Sequence, residues 1–504
     1  MASDYLYGTQ AKLGESVVKA SKTLGRICTA FGTAPINLIR GYADKGLVNK
    51  PIKLTAAGAK NTIGYSKDWK HFTLSEVVKS FFDNVGGNVE PLYVVNILNP
   101  DTHKKEDETT KSLTFVNGQA SFLSDTIILD TLAIDGKAEG VDYTLDYNFN
   151  TGMVVIDSNG ATQKLDGVVE VTFYEVDYSF MEDDETKAEA LIGGISSNGV
   201  RTGLAALELV YMTYFVVTNY LISPAFSHIP SVRNAMISKV QKFNDMWDCM
   251  AYTDIPTDED SDAVIDTRAK AIEWKKTNNY KSEREKTCWP KVKDSEGNIY
   301  HLSTLVAVEQ LRVDQANNQI PYETAANKAV NLVSSPFIAE SVDTAGFTRG
   351  EANELTQKGI TTVIPWEGVY KLWGHHTTAY EYAGTYDARA VFDTSVNMLL
   401  YLMNSFTKNH ADEIDKPMKL SRKQDIEDAE NKNLRELVAL GALLEDVNGE
   451  SPTFKFIPAN NPAGDIIEGY FRWDLGVTPT PPFASGTAVV AYTDAGFSAY
   501  LGEG

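Results

Sequence analysis

The sequence predicts a multidomain chain of α/β and α+β character. An α/β domain is interrupted by an all-β insertion and followed by a C-terminal α+β core domain. Three observations predict it. Residues 26–100 and 186–380 alternate buried strands with amphipathic helices, the grammar of an α/β layer fold. Between 101 and 185 helical periodicity vanishes, and short strands are punctuated by Gly, Asn and Asp turns. In 381–485 two long helices precede two short strand candidates. A length of 504 residues suits roughly three domains of about 150 residues each.

Residues 1–25 read as an arm rather than a domain, with Ser16, Val17, Val18 and Lys19 at the centre of a strand-like piece. Phe72-Thr73-Leu74 opens a helix that runs through Phe81-Phe82 and that Gly86-Gly87 stops; Tyr93–Pro100 is the strand after it. Within 101–185, Leu113–Val116 and Ala120–Phe122 flank Asn117-Gly118, a strong hairpin signal. Thr126–Leu129, Tyr143–Tyr147, Met153–Ile156 and Val168–Val176 continue at strand length, and acidic Glu182–Glu185 close the unit. Because α/β sequence flanks it on both sides, this unit is an insertion in the parent domain.

Leu204–Ile222 reads as a buried helix running on into a central strand. Its length approaches a membrane span, but Glu208, Thr213, Thr218 and Asn219 interrupt it, so no membrane insertion is expected. Ser231–Trp247 places Val232, Ala235, Met236, Val240, Phe243 and Met246 on one helical stripe. Cys249–Thr253 is strand-like, and Asp262–Asn278 and Leu302–Val313 read as helices. Glu351–Gln357 is a short helix with Gly359 at its C-cap, followed by strands at Ile360–Ile364 and Val369–Trp373. Asp387–Phe406 and Ser421–Leu444 are the long helices of the C-terminal core, and Ser421 with Gln424 has capping-box spacing. Strands follow at Phe454–Ile457 and Ile466–Trp473. Thr478–Pro482 is a stiff polyproline spacer. Residues 486–504 form a second arm, whose strand Gly486–Thr493 centres on Val489, Val490, Ala491 and Tyr492.

A net charge of -22 argues against nucleic-acid binding, which needs clustered Lys and Arg for phosphate contacts. Three widely spaced cysteines make no disulfide framework and no metal spacing, and the N-terminus shows no signal peptide, so synthesis in a reducing cytoplasm is expected. His375-His376 is the only histidine pair, and neighbours on a strand point to opposite faces, which disfavours a metal site. Gly193–Gly199 precedes a helix as a phosphate loop would, but it lacks the Lys-Ser/Thr that grips phosphate and reads as a linker. Asp258-Glu259-Asp260 lacks the alternating ligand spacing of a calcium loop. No nucleophile motif is present, and no catalytic residue, metal or cofactor is expected. One charge pattern is unusual: Lys416, Lys419, Arg422 and Lys423 cluster at a helix start, where cations oppose the helix dipole. Either they are relieved locally, as by Lys423 with Glu427, or an acidic partner surface faces them.

Further landmarks recur in a collinear order. Gly32–Asn37 (GTAPIN), Val48–Pro51, Tyr93–Pro100, Arg201-Thr202-Gly203, Tyr252–Pro256, Ala325–Lys328, then Leu355 with Gly359-Ile360-Thr361, Leu372-Trp373-Gly374 with Thr377, and Asp387–Asp393 together resemble contractile tail sheath proteins over nearly the whole chain. One position departs: Thr361 stands where that family usually has Asn. The resemblance implies copies stacked as hexameric rings around an inner tail tube, with baseplate and tail terminator proteins as partners. It implies contraction that drives the tube through a target envelope, in a phage virion tail or a released phage-tail-like particle made in a bacterial host's cytoplasm. The insertion would lie outermost, and the C-terminal domain would face the tube, making Lys416, Lys419, Arg422 and Lys423 candidate tube contacts. The two terminal strands would be exchanged between neighbours, adding to each other's sheets by β-augmentation. The plainer reading of the two arms is that they fold back on their own subunit. Two other classes compete with the sheath reading. A non-contractile, surface-layer-like lattice protein would carry a secretion signal. An α/β enzyme with a β-insert would show a convergent polar site at the carboxyl ends of its strands.

Overall fold

The computed structural model describes residues 25–83, 87–158, 164–257, 264–336, 346–385, 387–497 and 500. The expected N-terminal strand around Ser16, Val17, Val18 and Lys19, and the acidic run Asp258-Glu259-Asp260, lie outside the described residues. The centre is an eight-stranded sheet of β1 (Ile27–Gly32), β2 (Pro51–Leu54), β3 (Leu92–Asn96), β4 (Thr218–Ile222), β5 (Met250–Asp254), β6 (Glu285–Cys288), β7 (Ile360–Trp366) and β8 (Val369–Trp373). Their order is β8-β7-β6-β5-β4-β1-β3-β2. Neighbours from β7 to β3 are parallel, and β2 and β8 close the two sides antiparallel. The order reverses between β4 and β1, as in a doubly wound sheet.

The principal helices are α1 (Thr73–Phe82), α2 (Asp184–Ile192), α3 (Leu207–Tyr214), α4 (Pro230–Lys239), α5 (Arg268–Thr277), α6 (Leu302–Ala316), α7 (Arg349–Thr356), α8 (Asp393–Asn409) and α9 (Leu420–Ala439). Strand residues alternate between two cores, as a pleated ladder requires. Cys28 and Ala30 of β1 pack with α1 and α6, whereas Ile27 and Phe31 pack with α2, α3 and α4. In β7, Val363 joins the first core, while Ile360 and Ile364 face α5 and α7.

Several helices are shorter than their periodicity suggests. The apolar run from Leu204 breaks at Phe215, a left-handed C-cap with φ 56°, before the central strand β4. Among the described residues no helix is long and apolar enough to cross a membrane. The stripe expected over Ser231–Trp247 ends at Lys239, because Lys242, Asn244 and Asp245 take positive φ of 50°, 51° and 61°. Phe243 and Trp247 are still buried, but Met246 is exposed. Residues 264–267, expected to be helical, are not; α5 starts after Thr267, whose side chain accepts the Lys270 N–H at 3.3 Å. The capping box expected at Ser421 and Gln424 is absent, because Lys419 is the N-cap and Ser421 lies inside α9. A capping box does form at Thr348 and Glu351, at the head of α7.

The two glycines at the heart of the Leu355–Thr377 landmark have a steric reason. Gly359 has φ 65°, and a Cβ there would stand 2.5 Å from the Thr377 carbonyl oxygen. Gly374 has φ 139°, and a Cβ there would stand 2.9 Å from Thr361 Cα. Main-chain segments cross at both points with no room for a side chain.

Between Thr109 and Phe173 the chain makes two three-stranded antiparallel sheets around their own core, which includes Phe115, Phe122, Ile156 and Phe173. Thr126–Leu129 contributes only an isolated bridge at Ile127 rather than a strand. Leu38 of the parent fold is buried in the same core. Beside it, Asn37 Nδ2 donates to the carbonyls of Asp125 (3.0 Å) and Ile127 (2.8 Å), and Arg40 pairs with Asp130 and Glu139. The GTAPIN turn is thus the seat of this β unit.

In the C-terminal region α8 and α9 pack on a two-stranded antiparallel sheet of Phe454–Phe456 and Trp473–Leu475. The strand expected over Ile466–Trp473 is mostly absent. Ala463–Ile467 forms a short helix after Pro462, and Gly469, at φ 87°, turns the chain. Polar ties hold α8 to the main sheet: Asp393 to Lys286, Asn397 to Arg26 (3.1 Å) and Asn404 to the Asp248 backbone (2.7 and 3.2 Å).

Candidate assembly surfaces

The C-terminal arm leaves the fold at its proline spacer. Leu444 N–H donates to Thr478 O (2.9 Å) and Thr480 N–H to Ala442 O (3.1 Å), which pins the spacer to the end of α9. Beyond it, residues 482–492 make no backbone hydrogen bond. Val489, Val490 and Tyr492 are 89%, 93% and 85% exposed, and Ala491 is exposed between them. The strand expected at Gly486–Thr493 is therefore absent from the single chain. A lone strand has no ladder to complete unless it pairs with another edge.

The main sheet offers little room for a further strand. On the β2 side the Tyr214 hydroxyl accepts from Lys53 N–H (3.3 Å) and donates to Pro51 O (3.1 Å). On the β8 side, Asn327, Lys328 and Val330 exchange backbone hydrogen bonds with Leu372 and Tyr370 at 2.7–3.0 Å. The two-stranded sheet differs. Its Phe454 edge is capped by side chains: Asn431 bonds Phe454 N–H (2.8 Å) and C=O (3.0 Å), and Glu427 accepts from Phe456 N–H (2.8 Å). Those bonds turn Phe454 and Phe456 outward, so Lys455 and Asp474 are the hydrogen-bonded pair, and the backbone groups of Trp473 and Leu475 point away from the ladder. Nothing among the described residues bonds to them. Sequence reading missed this edge, because it placed the strand seven residues early.

Three of the four cations at the start of α9 have local partners. Glu413 takes Arg422 (3.0 Å) and Lys416 (3.4 Å), and Glu427 takes Lys423 (3.4 Å), whose ammonium also lies 4.9 Å from the centre of the Phe456 ring. Lys419 is exposed and makes no ion pair among the described residues. Leu420 and Ile414 beside them are 84% and 72% exposed. The surface thus presents a partly compensated basic rim around two apolar side chains.

At the carboxyl ends of the strands the structure gathers polar groups that the sequence did not reveal. Asp254, ending β5, accepts from the hydroxyls of Ser303 (2.5 Å) and Ser227 (3.1 Å) and from Ser303 N–H (3.0 Å). His301 Nδ1 lies 2.7 Å from Glu76, and its Nε2 accepts Ala225 N–H at 3.2 Å. Burial disfavours the imidazolium, but Glu76 outweighs it and holds His301 above its ordinary pKa. All of these groups are buried and bonded to one another, so they join α1 and α6 to the sheet.

The His375-His376 rings do not point apart: strand β8 ends at Trp373, and the ring centres lie 4.2 Å apart. His376 donates through Nδ1 to Val391 O (2.8 Å) and stacks on Tyr380 at 3.6 Å. Burial, and then the neighbouring His375, push its pKa down to about 4. Gly193–Gly199 opens a small ribbon in which Gly194–Ile195 pairs with Arg201–Thr202.

These surfaces belong to a mixed α/β multidomain fold whose open strand edge and free arm lie in its last quarter. No protein-family model matches the sequence. Along 96% of its length, and over 95% of the relative, the chain is 24% identical to the tail sheath protein of Burkholderia phage BcepMu. Among solved structures, the contracted helical sheath of the anti-feeding prophage shares the fold at TM-score 0.55, with 13% identity and coverage of 98% of this chain and 99% of that one. The contracted PVC sheath complex of an extracellular contractile injection system does so at 0.56, with 12% identity and the same coverages. The chain is related to contractile tail sheath proteins, as its collinear landmarks indicate.

Proposed function

We propose that this chain is the sheath subunit of a contractile injection machine, in a bacteriophage tail or a phage-tail-like particle. The observation that carries the proposal is the end-to-end match: 96% of this chain aligns with 95% of a phage tail sheath protein, leaving little of either unaccounted for. Copies stack as hexameric rings around an inner tube and are nucleated on a baseplate. A barrier holds the extended state until it is triggered, and interfaces made only after contraction supply the stroke.

The arms carry the linkage. Residues 486–504 reach a neighbour and add Val489–Tyr492 as a strand to its open Trp473–Leu475 edge. Residues 1–25 bring a further strand to the same shared sheet. What supports this reading is the match between an exposed apolar segment without hydrogen bonds and an edge whose outward groups are unpaired. Residues 26–100 and 186–380 act as the body of the sheath, 101–185 as its outer decoration, and 381–485 as the layer against the tube. In that layer Lys416, Lys419, Arg422 and Lys423 face an acidic tube surface.

The test is polymerisation of purified chain without a tube, viewed by negative stain. Cylinders or ring stacks are expected on concentration. A strictly monomeric sedimentation profile at high concentration would overturn the proposal.

A further inference from the structure

The chain carries a large negative charge, yet between Arg268 and Lys293 it holds nine basic residues against three acidic ones. Three of those basic residues, Lys275, Lys276 and Lys281, meet Lys358 around one cavity of about 310 Å³ at the end of α5. Glu381 pairs with Lys358 at 2.7 Å, and Glu273 stands 3.7 Å from Lys276. Lys281 is exposed and has no ion-pair partner among the described residues. Lys275 is 8% exposed, and its ammonium donates to Thr378 O at 2.8 Å without a carboxylate in contact. Buried charges are ordinarily paired, because an uncompensated one carries a desolvation penalty. Burial lowers Lys275 to a pKa of about 8, against the pull of Glu285 and Glu381 and with the push of Lys281 and Arg233. The cavity is therefore short of negative charge.

An opposite imbalance lies elsewhere on the same face of the sheet. Glu182, Glu185 and Glu189 are spaced three and four residues apart at the head of α2, all exposed, and none is in an ion pair among the described residues. Four-residue spacing puts Glu185 and Glu189 on one side of the helix, away from buried Leu191, and Glu182 stands just before the extended N-cap Asp183. Helix α2 packs on α4 above β4 and β1, while α5 follows β5 and leads into β6. A basic cavity and an acidic ridge at different ends of one helical layer cannot neutralise each other within the subunit. They meet when a second copy is placed alongside.

We propose that the lysine cavity of Lys275, Lys276, Lys281 and Lys358 is a docking site for the Glu182/Glu185/Glu189 ridge of a second copy of this chain. The contact is heterologous, with different patches on the two copies, which is the geometry that builds rings and helical lattices rather than closed dimers. It rests on the self-assembly proposed above and adds a lateral joint that is independent of the arms.

The experiment compares critical concentrations for polymerisation of the full chain at low salt, by pelleting and negative stain. Lys276→Glu with Lys281→Glu, and separately Glu185→Lys with Glu189→Lys, should each raise the critical concentration about tenfold, equivalent to about 1.4 kcal/mol per contact. All four changes in one chain should restore it to within about twofold. If wild-type chain fails to polymerise, the assembly reading falls and takes this joint with it. If wild-type polymerises and either reversed pair does so equally well, the docking site alone is wrong. Loss in both pairs without rescue in the fourfold variant also overturns the pairing. Where sedimentation shows that a reversed variant is misfolded, Lys281→Gln and Glu185→Gln take its place. Each should raise the critical concentration about threefold and together no further, and additive effects would refute the contact.

Discussion

Two short segments of this chain invert the usual relation between polarity and burial. Strand β6 reads Glu-Lys-Thr-Cys and is wholly buried at the centre of the sheet. The arm reads Val-Val-Ala-Tyr at its centre and is almost wholly exposed. Each is explained by where its partners are. Glu285 receives the Arg233 guanidinium and the Thr253 hydroxyl (2.8 Å). Lys286 reaches Asp393 and the Gly374 carbonyl (2.9 Å), and Thr287 bonds to the Thr378 hydroxyl (2.9 Å). Buried charge is tolerated when every donor and acceptor is met. The arm has the composition of a buried strand but no ladder within its own subunit. A surface with this composition marks a place where another molecule binds. The lesson is that burial in this protein follows partner supply rather than hydropathy, with partners folded around one segment and none met by the other among the described residues.

The largest effect expected from this contrast is on the arm. Deleting residues 486–504, or substituting Val490→Pro, should abolish cylinders while changing unfolding free energy by less than about 0.5 kcal/mol, because a solvated segment contributes little to the monomer. Chemical denaturation beside negative-stain imaging checks both halves. Normal polymerisation by either variant would break the comparison.

Next in size is the internal segment. Lys286→Met leaves Asp393 buried and unpaired and should cost about 3–5 kcal/mol. Adding Asp393→Leu should recover most of that loss, since an apolar pair of similar volume replaces the ions. A double-mutant cycle in urea measures the coupling.

The seat of the β unit should respond somewhat less. Leu38→Ala opens a cavity in a core that belongs mainly to residues 109–173 and should cost about 2–5 kcal/mol. Proteolysis should then cut the β unit before the sheet. Replacing residues 109–173 with a Gly-Ser linker, which keeps Glu182 and Glu185, should leave assembly intact when Leu38 is also made polar, because the deletion otherwise bares that side chain.

A pH effect comes from His376. Its folded pKa lies below the ordinary histidine value, so the unfolded chain binds the extra proton between about pH 6.5 and 4. Stability is fully present above that window and falls as pH drops through it, by at most about 1.4 kcal/mol per pH unit for one proton. His376→Gln should flatten this part of the profile in thermal melts relative to wild type.

The smallest effect on stability is expected at the start of α9. Arg422→Glu with Lys423→Glu removes cations that oppose the helix dipole but sets new carboxylates beside Glu413 and Glu427. The two terms should cancel to within about 1 kcal/mol. Co-assembly with an acidic tube should nevertheless weaken at low salt, and unchanged tube binding would remove these residues from the tube contact.

Helices α1, α6 and α7, the Asn117-Gly118 turn and the β7–β8 pair were placed from periodicity and turn residues within a few positions, but the strands flanking Asn117-Gly118 share only the Val116–Gln119 bridge and run into different sheets instead of forming a hairpin ladder. The reading overran at Lys242–Asp245, where left-handed residues end a stripe that hydrophobic spacing alone would continue. It missed β6 altogether, and it missed the Trp473–Leu475 edge because Pro462 and Gly469 impose a helical turn on an apolar run. For the candidate site, the free arm was legible as an apolar segment beyond a proline spacer. The edge proposed to receive such an arm was not, because its openness depends on which side chains cap the opposite strand.

By itself the sequence indicated most of the longer helices, the place of the β unit, and the two strand-prone ends. These depend on spacing, turn residues and glycine positions within a few residues of one another. Only the tertiary structure decided that Glu285 and Lys286 lie in the core, since their partners stand 52 and 107 residues away along the chain. It alone decided, too, that both edges of the main sheet are covered while a short edge in the last quarter stays unpaired among the described residues. Local signals carry the conformation of a segment, but whether its charges and hydrogen-bonding groups are met is set by residues that folding brings from afar.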